Sequence, residues 1–392
     1  WRSRVESFAR TRRFLIFKNL RVLFFVAIKL NLLYPFYIKG VFEVATKRAL
    51  LVRLSSLGDV IFNIPLAAVL KANGYEVTWI TSEKGYDVIK NNPYVDEAIL
   101  APLKKWKKQK FSENFKEYKE IIRHIRSKKF DIAIDTQLLI KSFIWMIFSG
   151  AKRRIVSTSA REFAFLGGTE IIGKIQSDNI HHAIENYLKF AKHLKLDTSN
   201  IEVGLPESTP EIISKIDELL KDLNRNKPVI AIAPATTWKP KHWNKNNWKK
   251  LIGELEKDYT LIFTGTPADN ELIEDISGGK HLNIAGKTTV LELAEVFKRC
   301  DLAISLDSGS THLAWATKKP KIVTIFCCTP THLYAPIGPK DKYIALTGKL
   351  HCQPCHKRVC PLKRGRNRCT LLPDYKDVLN AVHTLLPVTQ NV

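Results

Sequence analysis

The chain contains no run of about 20 uncharged apolar residues, so no membrane-crossing helix is predicted. Cysteine is scarce: seven among 392 residues are too few for a disulfide scaffold. Acidic residues are outnumbered, 38 against 62 basic ones, which leaves a formal charge of +24. Neither a Walker loop nor the dinucleotide fingerprint is present, so ATPase and dehydrogenase readings lose support. No helix-turn-helix, RRM or zinc-finger pattern accompanies the positive charge, and a nucleic-acid-binding protein is only a distant alternative. What remains is an ordinary globular composition, 45% hydrophobic and 26% charged. The length suits two domains or three. The charge points to an anionic partner: nucleic acid, an acidic membrane surface or a phosphorylated substrate.

Residues 1–50 carry eleven Lys/Arg but only Glu6 and Glu43 as acids. An apolar stretch over 22–38 is interrupted by Lys29, Asn31 and Pro35, and it lacks the small-residue cleavage site of a signal peptide. Two readings fit: a segment lying in the headgroup region of a membrane, or a helix packed on the domain. The sequence opens on Trp1, as expected of a chain that starts inside a longer one or after processing.

From residue 48 strands and helices alternate. Apolar runs at 49–54, 76–80 and 131–135 read as strands, with a helix over 60–73. The pattern restarts at 227, with strands at 228–233, 259–263, 302–306 and 321–326. Helices are expected over 244–257, 268–276, 289–299 and 310–317. The polar, proline-bearing stretch 195–227 is the expected boundary. These features predict an α/β protein of two doubly wound, Rossmann-like domains facing across a cleft: 1–47 a basic extension, 48–205 the first domain, 206–392 the second. Ligands in such sheets bind outside the carboxyl ends of the strands, so the loops after strands hold the candidate chemistry.

The first such loop is Ser55-Ser56-Leu57-Gly58-Asp59. It reads either as a helix cap or as a site where Asp59 serves as a base, kept ionised by the helix N-terminus. The second runs over 235–244, where Thr236, Thr237 and Lys241 suit an anion. The third is Asp307-Ser308-Gly309-Ser310-Thr311-His312. Gly309 allows close approach of a ligand, the N–H groups of 308–311 suit a phosphate, and Asp307 suits a sugar hydroxyl. Two weaker loops flank them: 264–269, where Asp269 suits a ribose, and 285–290, which would wall an adenine.

Taken in order, these motifs resemble the family 9 glycosyltransferases, the lipopolysaccharide heptosyltransferases. The matching features are 53–60, Asp135-Thr136-Gln137 with Lys141-Ser142, Thr236-Thr237 with Lys241-His242-Trp243, Gly286-Lys287-Thr288-Thr289, and 307–314; together they span 48–385. The resemblance implies a GT-B fold and an inverting, metal-independent transfer from ADP-L-glycero-D-manno-heptose, with no cofactor. It implies an anionic Kdo-lipid A acceptor and a cytoplasmic, peripheral position on the inner face of the inner membrane. By position, Asp59 resembles the base; Lys241 and the backbone of 308–311 match pyrophosphate contacts; Asp307 matches a donor-sugar contact; Asp269 the ribose acid; Thr288 the adenine wall; Ser56, Gly58 and Arg161 the acceptor side. At Asp269 the family more often has Glu. The run Lys104, Lys105, Lys107, Lys108 is similar to the basic loop of the first-heptose enzymes. The alternatives are a second-heptose enzyme, another nucleotide sugar, and a noncatalytic lipid-binding relic.

Residues 101–129 hold eleven Lys/Arg against three Glu. They read as a solvated basic helix or as an acceptor-steering surface. Cys352, Cys355, Cys360 and Cys369 form a cluster whose first pair has zinc-like spacing. A structural metal, a disulfide pair and free thiols are all open there, and the six surrounding Lys/Arg are expected to lower thiol pKa values. Cys300, Cys327 and Cys328 are expected in the core.

Overall fold

The computed structural model describes residues 46–175, 181–199 and 201–387. All but the last two residues of the basic extension expected over 1–47 lie outside them. The described residues belong to one compact unit that begins at Thr46.

Two parallel six-stranded sheets organise it. The first contains β1 (Lys47–Val52), β2 (Tyr75–Thr81), β3 (Glu97–Leu100), β4 (Ile132–Asp135), β5 (Arg153–Ser157) and β6 (Glu170–Ile172). Its order is β3-β2-β1-β4-β5-β6. The second contains β7 (Val229–Ala233), β8 (Thr260–Phe263), β9 (Leu282–Asn283), β10 (Leu302–Leu306), β11 (Lys321–Phe326) and β12 (Tyr343–Thr347), in the order β12-β11-β10-β7-β8-β9. Each half therefore repeats one winding, with the order reversing between β1 and β4 and again between β7 and β10. Strands buried on both faces read as continuous apolar runs, which is why β1, β7, β10 and β11 stand out in the sequence. The outer strands β3, β6, β9 and β12 are short or half-exposed and carry no such signal.

The helix Leu57–Ala72 joins the halves. It is apolar almost all round, and every residue from Val60 to Leu70 is buried. The reason is that it packs on β2, on the helix Ala183–His193 and on the helix Gly309–Ala316 of the second half. Phe62 sits at the seam, with its ring centroid 4.3 Å from that of His312 and 6.2 Å from that of Trp315. The helix starts at Leu57 rather than at 60, so Gly58 and Asp59 lie in its first turn.

The two helix starts are pressed together. A Cβ at Gly58 would stand 2.4 Å from His312 Cδ2, so only glycine fits there without moving His312. The loop after β1 and the loop after β10, both at switch points, thus meet face to face.

Candidate active site at the two switch points

Asp59 is held from four directions. Ser56, the N-cap of the Leu57–Ala72 helix, donates its N–H (3.1 Å) and its hydroxyl (2.9 Å) to one carboxylate oxygen. The Arg53 guanidinium stands 2.7 Å from the same oxygen. Tyr187, on the helix Ala183–His193, donates its hydroxyl to the other at 3.2 Å. Arg53 is 3% exposed, and its second arm donates to the Thr136 carbonyl. Burial pushes the Asp59 carboxyl up, but Arg53 and the two Ser56 donors outweigh it and hold it below the usual carboxylate value. The capping and base readings of Asp59 are therefore not rivals: the cap is part of what keeps the group ionised.

The loop after β4 builds the floor. Asp135 accepts from Gln137 N–H (2.8 Å), Leu138 N–H (3.0 Å) and the Ser142 hydroxyl (2.8 Å). The turn it fixes aims Gln137 Oε1 at the N–H groups of Leu54 (3.1 Å) and Ser55 (3.0 Å). Lys141 donates to the Ser55 hydroxyl at 3.1 Å. Burial, and then the neighbouring cations Arg53, Lys107 and Lys84, lower the Lys141 pKa. Of the basic run, Lys107 thus lies within electrostatic reach of this loop.

In the second half the half-buried Lys241 and the buried Asp307 form an ion pair of 2.6 Å. The Thr329 hydroxyl donates to the same Asp307 oxygen at 2.6 Å. Lys241 also lies 4.6 Å from the centre of the Trp238 ring. His242 contacts the Thr236 carbonyl at 2.7 Å through Nε2, which fixes the bend that brings Lys241 inward. Beyond Asp307 the N-terminus of the Gly309–Ala316 helix opens on the same point. The Thr311 hydroxyl turns away from it, bonded to the Leu306 carbonyl (2.5 Å) and Ser305 (2.7 Å), so that side chain holds the turn. Ser308 Oγ and His312 Nδ1 are buried without a partner. Burial pushes the His312 imidazole down to about 4 against the pull of Asp307.

The structure thus brings Ser56, Gly58, Asp59, Thr236, Lys241, Asp307, Ser308, Gly309, Ser310 and His312 to one junction, with Thr237 exposed at its edge. Asp269 and Thr288 stand on a separate rim. Asp269 accepts from Thr266 N–H and hydroxyl, both at 2.7 Å, and Gly286 N–H donates to the Gly265 carbonyl at 3.0 Å, so the two flanking loops touch. The run at 104–108 begins as a short helix, Leu103–Trp106, rather than a loop. It is anchored by buried Trp106, whose ring stacks 3.8 Å from that of Tyr118. Lys104, Lys107 and Lys108 are exposed, whereas Lys105 pairs with Glu117 at 3.1 Å. Arg161 is exposed on the loop after β5. The sequence reading assigned no site role to Arg53, Tyr187, Lys141 or Thr329. Arg53 and Lys141 do lie within the quoted motifs. Tyr187, 128 positions from Asp59, gave no signal.

The cysteine cluster lies beside the Lys241 loop. Cys328, Cys352, Cys355, Cys360 and Cys369 line a cavity of about 380 Å³, and all seven cysteines are free thiols. Cys369 reaches the Pro240 carbonyl at 3.9 Å and Cys327 the His242 carbonyl at 3.8 Å. Cys300, Cys327 and Cys328 are buried, as expected. The expected lowering of thiol pKa values fails at Cys369: burial raises it to about 11. Cys360 is lowered, chiefly by the N–H groups of Asn367 and Leu362 and only secondarily by Arg366. Among the described residues no three His, Cys, Asp or Glu side chains are grouped to hold a metal ion.

The directions of these shifts fix a pH profile. A lowered carboxyl stays ionised until pH falls through its folded value, below about 4. His312 and His182, both pushed to about 4 by burial, stay neutral above that. Neither His312 nor His182 should therefore contribute a limb between about pH 5 and 8. Asp135, pushed up to about 6 by burial, is the group of the site's floor expected to bend the log-rate plot there, so a bend near 6 that persists in Asp135→Asn would contradict this assignment.

Residues 118–365 match the glycosyltransferase family 9 (heptosyltransferase) profile. Lipopolysaccharide heptosyltransferase 1 of Salmonella typhimurium is 26% identical over 304 residues, 74% of this chain and 89% of the relative. The Pseudomonas aeruginosa protein of the same name is 25% identical over 326 residues, 80% of this chain and 87% of the relative. A family 9 glycosyl transferase from Veillonella parvula shares the fold, with a TM-score of 0.74 at 23% identity, over 88% of this chain and 99% of that one.

Proposed function

Because the chain belongs to glycosyltransferase family 9, the heptosyltransferases, and is an enzyme of that class, we propose that it transfers L-glycero-D-manno-heptose from ADP-heptose to a Kdo-lipid A acceptor, with inversion, as the first heptose of the inner core. The observation that carries the reading is the juxtaposition of one ionised carboxylate, Asp59, with the Lys241–Asp307 pair and a helix N-terminus across the seam.

Inversion takes one in-line displacement at the anomeric carbon, so no enzyme nucleophile is needed. Asp59 accepts the proton of the attacking hydroxyl as the new bond forms. Lys241 and the N–H groups at 308–311 meet the charge growing on the departing ADP. Asp307 has two roles in this account: it holds Lys241 in place, and when the diphosphate takes over the ammonium it is free to accept from a sugar hydroxyl. Asp269 and Thr288 would hold the ribose and wall the adenine. Ser56, Gly58, Arg161 and the exposed lysines of 104–108 would face the acceptor. The basic run and the heptosyltransferase 1 relatives favour the first heptose over the second.

An acceptor of this kind sits in a membrane, and no helix among the described residues is long and apolar enough to cross one. A peripheral position on the cytoplasmic face of the inner membrane suits the +24 charge. The donor is tested by ADP release from ADP-heptose and from ADP linked to other sugars, at equal concentration. Clear preference for heptose is expected; equal rates would defeat the heptose reading.

A further inference from the structure

Among the described residues, three large apolar side chains left in water fall within four positions of the loop after β5. Phe163 is 67% exposed, Leu166 63% and Phe165 40%. The three form the tip of one loop, with the Phe163 and Phe165 rings 6.3 Å apart. The loop is pinned at both ends. Arg161 N–H donates to the Leu138 carbonyl at 3.0 Å, and the Glu162 carboxylate accepts the Ile140 N–H at 3.2 Å. On the far side Arg154 Nε donates to the Gly167 carbonyl at 2.8 Å. Gly167 is packed so closely that a Cβ there would lie 2.8 Å from Phe143 Cδ2. Between these anchors Ala164 is buried, while Glu162 and Phe163 take left-handed backbone, φ +57° and +63°. That conformation is unfavourable for residues with a Cβ. Anchored ends and a strained turn hold the three apolar side chains outward.

Position gives the tip a meaning. The loop leaves the carboxyl edge of the first sheet, the edge that carries Asp59, and runs back along the sheet's side to Arg154 near the start of β5. It is linked to Asp59's loop by a short chain: Glu162 to Ile140, then Lys141 to Ser55. Exposed Arg161 and Lys152 flank the tip. Of the nearby acids, Glu162 is engaged with Ile140, and Glu170 is taken by Arg153 (2.5 Å) and His193 (2.7 Å). Aromatic and aliphatic side chains flanked by two cations suit the headgroup region of an anionic bilayer.

We propose that the Phe163, Phe165 and Leu166 tip is a membrane-docking element that enters the anionic bilayer carrying the acceptor and so aims the acceptor edge at it. This rests on the reading above that the acceptor is lipid-borne.

The test places a photocrosslinker in the full chain, Phe163→p-benzoylphenylalanine, with vesicles of phosphatidylglycerol and phosphatidylethanolamine. Adducts to phospholipid are expected, weakening as salt rises. Adducts between two copies of the chain would overturn the proposal in favour of self-association, and absence of adducts would overturn it outright. A second variant, Phe163→Ser with Leu166→Ser, changes only exposed side chains. Its kcat/KM on vesicle-borne acceptor should fall about tenfold, with no change on a deacylated, water-soluble acceptor. Equal loss on both acceptors would also overturn it. Failure of the transferase reading would appear separately, as no ADP-heptose turnover by the unaltered chain in any acceptor form, and it would leave the crosslinking result standing.

Discussion

Asp59→Ala abolishes transfer and leaves ADP binding intact: the expected loss of turnover is about 1000-fold, within the range a positioned general base supplies. The carboxylate lies on the first half, whereas every group assigned to the diphosphate comes from the second, so calorimetric ADP affinity should stay within a factor of about two. Removing the carboxylate also strands Arg53, whose side chain is only 4% exposed, so the folded state should lose stability as well. Asp59→Asn separates the two effects. With its amide oxygen in the place of Oδ2 it still accepts from Ser56 and Arg53, and its NH2 donates to the Tyr187 hydroxyl, but the group accepts no proton, so stability is largely regained and turnover is not. If Asp59→Asn turned over near the rate of the unaltered chain, the base would lie elsewhere.

Lys241→Ala acts on the other side. It removes the cation assigned to the leaving diphosphate, and ADP affinity should drop tenfold to hundredfold, about 1.4–2.8 kcal/mol. It also leaves the buried Asp307 carboxylate without its cation, facing the Thr329 hydroxyl at 2.6 Å and His312 Nε2 at 3.8 Å, so the folded state should lose stability. A double variant, Lys241→Ala with Asp307→Ala, removes both charges and should recover much of that stability without recovering ADP affinity. Such a result would assign the loss of binding to the missing ammonium rather than to a damaged loop. ADP affinity unchanged in Lys241→Ala would remove Lys241 from the donor site.

The fold was readable in its centre and not at its edges. β1, β7, β10 and β11 each carry a run of buried, mostly apolar residues because both their faces are covered. By contrast β9 is two residues long and β12 has no fully buried position. The candidate site was likewise legible where a strand, a turn and a helix follow one another in sequence, as at Arg53–Asp59 and Asp307–His312. Contacts made by distant segments were not. Tyr187 reaches Asp59 from a separate helix, and Thr329 reaches Asp307 from beyond β11, and neither has a local pattern that announces it. The cysteine cluster misled for a related reason: neighbouring arginines suggested lowered thiols, but burial in the folded chain decides the sign at Cys369.

The most direct measurement is ADP release from ADP-heptose with two acceptors in parallel, Kdo2-lipid A and the same molecule already bearing one heptose. Turnover on the unheptosylated acceptor alone is the expected result. Turnover only on the heptosylated one would make the chain a second-heptose enzyme, and no turnover on either, with tight ADP binding retained, would contradict heptose transfer itself.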